Sequence, residues 1–210
     1  MQQTTVRELL ACFKQYIITW LNIIAYERGV YPKTAFEERN SFNLRVPYNR
    51  HPSVQEWQLE LVQDLLNDLT LGHLMALRLI LAADNASECY TLDLREFRTI
   101  KPDFHDKEIV DVCIDDMVDQ YRANLSAFIS QIRTLRPPLD GIFPTMEVTA
   151  ETKGLTLKED WILDKRNEYI QENDNDNGNI KSMSSLRPLP IVECGPIVFY
   201  SSIEIKQASK

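Results

Sequence analysis

The sequence predicts an α+β domain in which three helices pack on one face of a mainly antiparallel sheet. Three segments carry apolar residues at helical spacing, and other segments alternate apolar with polar residues as strands do. Strand patterns dominate the chain after the last helix, which favours an α+β architecture over repeated βαβ units. The length of 210 residues fits one domain.

The first helix is predicted from about Thr5 to Arg28. Thr5 and Glu8 have the spacing of a capping box, and Gly29 marks the end. The most apolar run, residues 16–26, has only eleven residues and contains Asn22. It is too short to span a bilayer, so a helix buried in the middle of the domain is the better interpretation. One stripe consists of Leu9, Phe13, Ile17, Trp20 and Ile24.

The middle of the chain is predicted to hold a long connection, a helix and a hairpin. Residues 30–52 contain three prolines and are interpreted as an irregular connection. A second helix is expected to begin near Pro52, since proline suits the first helical turn. Two strand-like segments, "HLMALRLILAAD" and "ECYTLDLREF", flank "NAS" and predict a β-hairpin. In the second segment Tyr90, Leu92 and Leu94 share one face.

The last third of the chain is predicted to hold the longest helix and then strands interrupted by a polar run. The helix is expected over residues 107–136, where "RPPLDG" ends it. "IFPTMEVTA" is predicted to be a strand, and "LTLKEDWIL" a short strand or a turn. A polar stretch follows over residues 165–185. Two short strands divided by Gly195-Pro196 complete the chain in "LPIVECGPIVFYSSIEI".

No pattern in the sequence indicates catalysis or a cofactor. There is no H-E-x-x-H, G-x-S-x-G, P-loop or G-x-G-x-x-G motif, and the three histidines are not at metal-ligand spacing. The four cysteines form no C-x2-C pair, which favours a reducing compartment and structural thiols. The net charge of -8 argues against direct binding of nucleic acid. An enzyme with an unrecognised site remains as an alternative.

Two acidic stretches resemble cation sites only in composition. In "ENDNDNGN", residues 172–179, the calcium-loop register puts Asn173 at the first position and Ser184 at the twelfth. A tight loop needs an anionic first ligand and a glutamate at the twelfth, so a solvated linker is the better interpretation. The four aspartates of "DVCIDDMVD" are expected to complement the helix dipole and face water.

Peptide binding is the function that the residues favour. Tyr31, Tyr48, Trp57 and Trp161 lie near the starts and ends of elements, and aromatic anchors carry much of the energy of peptide grooves. For any one of them taken alone, core packing is the favoured explanation. A sheet whose last strands are joined by a polar run also offers an edge to which a peptide can add as a strand.

The segment "IIAYERGVYPKTAFEERNSFNLRVPYNRHPSVQEW" resembles the HORMA-domain family. The "VYP…F" motif, followed by "HP" and an aromatic residue five positions later, is its most specific part, and "EDWIL" is a second likeness. Within the family the likeness is to accessory, non-catalytic subunits of translesion DNA polymerase zeta. The resemblance implies a single HORMA domain over 1–210, with a core of 1–150 and a C-terminal safety belt of 151–210.

The resemblance also implies a mechanism and partners. The belt would lock an extended, proline-containing peptide of the catalytic subunit of DNA polymerase zeta against the sheet. Tyr31, Trp57 and Trp161 would line the peptide site, and a scaffold Y-family translesion polymerase would be the second partner. A nuclear location, and no cofactor or metal, would follow. Ser126 stands where relatives carry a basic residue used for dimerisation, with Arg122 and Arg133 on other faces, so homodimerisation by that route is not expected.

An adaptor of the spindle checkpoint or the meiotic chromosome axis, with a different client peptide, is the alternative within the family. Partners that co-purify with the protein would separate the two.

Overall fold

The computed structural model describes residues 4–83, 86–97, 108–109, 112–136, 145–154, 161–162 and 183–207. The run "ENDNDNGN" and most of "LTLKEDWIL" lie outside these residues, so the predictions made for them are not addressed. The helices are α1 (Val6–Glu27), α2 (Pro52–Thr70) and α3 (Ile114–Arg133). The strands are β1 (Thr4–Thr5), β2 (Phe36–Ser41), β3 (Leu44–Asn49), β4 (Leu74–Ala83), β5 (Ala86–Asp93), β6 (Glu108–Ile109), β7 (Thr145–Thr152), β8 (Met183–Pro188), β9 (Val192–Cys194) and β10 (Ile197–Gln207).

The main sheet is antiparallel and has the order β7-β4-β5-β10-β8. The short β9 pairs with the first residues of β10, beyond the end of β8. Two small sheets, β1-β6 and β2-β3, complete the described strands. Strands β7 and β8 therefore lie at opposite edges of the main sheet, although they follow each other in the chain. The predicted α+β class is confirmed.

Helix α1 is the centre of the fold, as the sequence predicts. Thr5 Oγ1 accepts a hydrogen bond from the Glu8 amide at 3.2 Å, and the Thr5 amide donates to Glu8 at 2.8 Å, which completes the capping box. Trp20, like most of the helix, is buried. Among the described helices, α1 alone is long and apolar enough to cross a membrane. Because its side chains pack in the core of this fold, α1 is read as a core helix.

The segment 30–52 is not an irregular connection. After a 3-10 turn at Lys33–Ala35 it forms the hairpin β2-β3, which packs on α1. Both residues of its two-residue turn have positive φ, 50° at Phe42 and 57° at Asn43. Positive φ at both positions is the type I′ turn that suits hairpins, although phenylalanine is an unusual residue there. The Phe42 ring lies 5.3 Å from the Tyr121 ring, so tertiary contact stabilises the turn.

Three further boundaries differ from the sequence predictions. Helix α3 begins at Ile114 rather than at 107, with Cys113 as its N-cap, so Cys113 precedes the helix instead of lying inside it. Strand β8 begins at Met183, within the end of the predicted polar stretch. Strand β10 has eleven residues and is not short. Pairing with β10, which the local sequence does not encode, explains β8.

Candidate functional site

Strand β7 forms an edge of the main sheet, and no described strand pairs with its outer side. On its inner side it pairs with β4 from Thr145 to Thr152. Met146, Val148 and Ala150 pack against the core, while the residues between them face the other way. An eight-residue edge presents a row of backbone N–H and C=O groups to which an extended peptide can add.

Beyond the end of β8, the backbone of the C-terminal strands is occupied by side chains of α3, and prolines interrupt it. Pro188 and Pro190 have no N–H to offer a further strand. On β9, the Glu193 amide donates to Gln120 Oε1 at 2.8 Å, and Gln120 Nε2 donates to the Glu193 carbonyl at 2.9 Å. Asn124 Nδ2 donates to the Pro190 carbonyl at 2.6 Å. The backbone at β9 is therefore occupied by α3, whereas no strand among the described residues pairs with the outer side of β7.

Charged residues on the face of the sheet that points away from the helices hold the end of β7 in place. Glu151 accepts hydrogen bonds from Arg78 at 2.6 Å and from Arg95 at 2.9 Å. These bonds, with Arg78 contributing most, hold the pKa of Glu151 below its ordinary value. Asp93 pairs with the same Arg95, whose pKa is raised by the two carboxylates. The group ties β7 to β4 and β5.

The three predicted peptide-contacting residues lie in separate parts of the chain. Tyr31 is half-buried after the end of α1, and Trp57 lies in α2 with 37% of its surface exposed. Trp161 is half-buried and packs against the apolar core. Trp57 lies on α2, the helix that packs on β4, and β4 is the strand next to β7. No described contact joins the three residues, and their role in a peptide site stays a prediction.

Three exposed apolar side chains lie at the C-terminal edge, on or near the outer face of the sheet. Leu186 is 66% exposed, Ile191 56% and Tyr200 45%. Tyr200 alternates with the buried Phe199 and Ser201, and Leu186 is opposite Glu204 on β10, so both point away from the helices. Exposed apolar groups that share a face are typical of a protein-protein contact.

Two residues of α3 were missed as candidates. Gln120 and Asn124 belong to no motif that the sequence analysis identifies. Asn124 is 1% exposed, and besides Pro190 it bonds Ser201 Oγ at 3.0 Å and the Tyr16 hydroxyl at 2.7 Å. One feature of the sequence does indicate a role for Asn124. It lies within the apolar stripe of α3, one turn from Tyr121 and Phe128, and a buried polar residue there requires hydrogen-bond partners.

The part of the chain that the structure describes contains no group of histidine, cysteine and acidic residues able to hold a metal. All four cysteines are free thiols. Burial, and then the charges of Asp116 and Glu193, raise the pKa of Cys194 to about 12, so its thiol stays protonated while it is buried. One cavity of about 210 Å³ opens at the end of β4, between Leu69, Phe97 and Lys153. It is smaller than the usual ligand pocket.

Similarity of structure decides the fold family. A chain of a crystal structure of the mitotic checkpoint complex matches 96% of this chain and 99% of its own length, with a TM-score of 0.65 and 12% identity. HTP-2 of C. elegans, bound to the HIM-3 closure motif, matches 99% of this chain and 93% of its own, with a TM-score of 0.61 and 10% identity. Both neighbours are HORMA-domain proteins. The chain has the HORMA fold.

Sequence similarity points to one branch of HORMA proteins. The chain is 28% identical over 162 residues to the DNA polymerase zeta processivity subunit of Saccharomyces cerevisiae. It is 29% identical over 102 residues to the protein of the same name from Schizosaccharomyces pombe. The matches cover 75% and 48% of this chain, and 64% and 47% of the two relatives. The chain thus spans less than two thirds of either relative in these matches. No protein-family model matches it.

Ser126 is exposed on α3. Arg122 pairs with Asp119 on its own helix, and Arg133 pairs with Glu27 of α1. Both nearby arginines therefore have intramolecular partners. The expectation that the chain does not dimerise through a basic residue at this position stays a prediction.

Proposed function

We propose that this HORMA domain is a non-catalytic accessory subunit of DNA polymerase zeta in translesion DNA synthesis. It captures an extended, proline-containing peptide of the catalytic subunit, which adds to β7 and is enclosed by the C-terminal belt region, residues 151–210. The observation that carries the proposal is an edge strand, β7, with which no described strand pairs on its outer side, in a chain similar to polymerase zeta processivity subunits.

The geometry supports pairing at β7 for a physical reason. Exposed sheet edges promote aggregation, so natural proteins close them with prolines, charges or covering elements. Here α3 side chains occupy the backbone at Pro190 and Glu193, past the end of β8, and β7 has an outer side with which no described strand pairs. Backbone pairing alone gives little sequence preference, so aromatic side chains near the edge would supply it. Tyr31, Trp57 and Trp161 are the candidates.

Partner capture, rather than chemistry or DNA binding, is the activity proposed. The net charge of -8 is unfavourable for contact with phosphates, so DNA is expected to be held by the other subunits. The exposed Leu186, Ile191 and Tyr200 form the surface that we assign to the scaffold Y-family polymerase. This surface lies at the edge opposite β7, which lets both partners bind at the same time. A nuclear location follows from the same role.

The test begins with affinity purification of the full chain and identification of its partners. Recovery of the polymerase zeta catalytic subunit is expected, and overlapping fragments of that subunit would then locate the bound peptide. Recovery of checkpoint or chromosome-axis proteins without polymerase zeta would refute the proposal and favour the alternative adaptor, whose fold is equally similar.

The site assignment has its own test. Trp161→Ala is expected to weaken binding of the mapped peptide by about 30-fold or more, as loss of an aromatic anchor does. Leu71→Ala is the matched control, because Leu71 is an exposed apolar residue at the end of α2, outside the predicted site. Unchanged affinity of a folded Trp161→Ala protein would show that Trp161 is not an anchor, while leaving capture at β7 in place.

A further inference from the structure

Three amides on one face of α3 bond the backbone of the C-terminal strands. We call Gln120, Asn124 and Gln131 the amide ladder; their spacing of four and seven residues aligns them along the helix. We call residues 188–194, from the last residue of β8 to the end of β9, the C-terminal anchor. Besides the bonds of Gln120 and Asn124 already described, Gln131 Nε2 donates to the Pro188 carbonyl at 3.3 Å.

The anchor needs these bonds because its own sequence prevents regular pairing. Pro188 and Pro190 lie where pairing with β10 is interrupted between β8 and β9, and their carbonyls accept hydrogen bonds from α3 side chains. The side chain of Gln120 acts on Glu193 as a neighbouring strand would, since an amide offers the same donor and acceptor as a peptide group. The ladder thus replaces a missing strand along the anchor.

The ladder differs from a strand in how it can open. Strand β10 is paired with β5 over eight residues, which must separate together. The bonds of Gln120 are made at an exposed site and involve one side chain, so they can break locally. Beneath them lie Leu189, Val192 and Cys194, whose burial also holds the anchor.

We propose that Gln120 and Asn124 are positioning residues for peptide capture, which set how often the C-terminal anchor leaves α3. The proposal rests on the proposed function, in which the C-terminal region must open to admit or release a peptide at β7. The amide ladder then acts through the anchor without touching the peptide. Breaking it accelerates both the entry and the exit of the peptide.

The test compares wild type with Gln120→Met, which keeps the length and helix preference of the side chain but removes its donor and acceptor. The matched control is Gln63→Met on α2, where the exposed Gln63 bonds Lys14 and Asn67 away from the anchor. Asn124→Ala is a secondary variant only, because Asn124 is fully buried and its loss threatens folding.

The first measurement is alkylation of Cys194 in the peptide-free protein, read by mass spectrometry. Cys194 is buried in the closed anchor and reacts only when the anchor opens. Gln120→Met is expected to speed this reaction about tenfold, equivalent to about 1.4 kcal/mol. Cys89, on the outer face of the sheet, is the internal reference and should react as before. An unchanged Cys194 rate would overturn the inference, whether or not any peptide binds.

The second measurement is the binding kinetics of the peptide mapped on the polymerase zeta catalytic subunit. Association and dissociation rates are both expected to rise about tenfold in Gln120→Met, with the affinity nearly unchanged. Faster alkylation of Cys194 with unaltered peptide kinetics would show that the amide ladder stabilises the anchor but does not control peptide entry and exit. That result would overturn the positioning role. Failure of wild type to bind any fragment would refute the proposed function, while the alkylation result would still stand for the anchor.

Discussion

Replacing Gly195 by alanine should destabilise the protein more than the same change at other glycines with positive φ. Gly195 and Pro196 form the two-residue turn between β9 and β10, and Gly195 has φ of 60°. A glycine with positive φ at the first position, before a proline whose φ is fixed near -65°, is a type II′ turn. A Cβ added at Gly195 would lie 2.6 Å from Val112 Cγ2, which is closer than two carbons can approach.

The magnitude has two contributions. An L-residue held in the left-handed region costs about 1–2 kcal/mol, and overpacking a filled site costs about 1–3 kcal/mol more. The sum of about 2–5 kcal/mol is a large part of the 5–15 kcal/mol that stabilises a typical domain. At about 2–4 °C per kcal/mol for a chain of this size, the melting temperature should fall by roughly 4–20 °C.

Thermal and urea unfolding of matched variants separate the two contributions. Gly29→Ala carries the same kind of strain, since φ is 67°, but no heavy atom lies within 4 Å of its added Cβ. Gly29→Ala should therefore lose only the strain contribution, about 1–2 kcal/mol of unfolding free energy. Adding Val112→Ala to Gly195→Ala should recover about 1–3 kcal/mol relative to the sum of the single changes. Strict additivity, or equal losses at Gly29 and Gly195, would refute the packing of the β9-β10 turn on Val112.

Three further predictions concern the core and its charges. Glu88→Gln should lower the free energy of unfolding in urea by about 3–5 kcal/mol, because the guanidinium of Arg28, which is 4% exposed, would lose its ion-pair partner. Glu38→Gln is the control: its pair with Arg45 is exposed, so the free energy of unfolding should hardly change. Phe42→Ala should cost about 2–3 kcal/mol through lost ring contacts, and a smaller loss would show that the β2-β3 turn is held by its backbone alone. The pKa of Glu151 is lowered from 4.5 by Arg78 and Arg95, so its stabilisation is present above about pH 4.5 and is lost as pH falls through the folded pKa. The stability difference between wild type and Glu151→Gln, about 1 kcal/mol or less at pH 7, should therefore shrink from pH 5 to pH 3, and a constant difference would contradict the assignment.

Local sequence signals predict the helices and the central hairpin well because those signals act within a few residues. The capping box of Thr5 and Glu8, and Pro52 in the first turn of α2, coincide with the observed helix starts. The alternation of Tyr90 and Leu92 gives the correct inner face of β5. Each feature depends on neighbours one to four residues away, so no tertiary information is needed to interpret it.

The elements missed by the sequence analysis depend on distant partners. The β2-β3 turn lacks the usual Asn-Gly, and Phe42 adopts positive φ while its ring lies among Tyr16 and Tyr121. Strand β8 has few apolar residues, and its conformation comes from pairing with β10. The roles of Gln120 and Asn124 require knowledge that β9 passes beside α3, which their own helix does not encode.

The arrangement of the two sheet edges unites the proposed function with the amide ladder. One chain segment, residues 155–182, joins the end region of β7 to the start of β8 at the opposite edge. In the proposed function, the C-terminal strands can enclose a peptide at β7 only if they stay attached to α3. Prolines that stop further strand pairing there also remove backbone bonds, and side-chain amides compensate for them. An edge closed by side chains rather than by a strand is stable yet can open locally, which is what slow, reversible capture of a peptide at β7 requires.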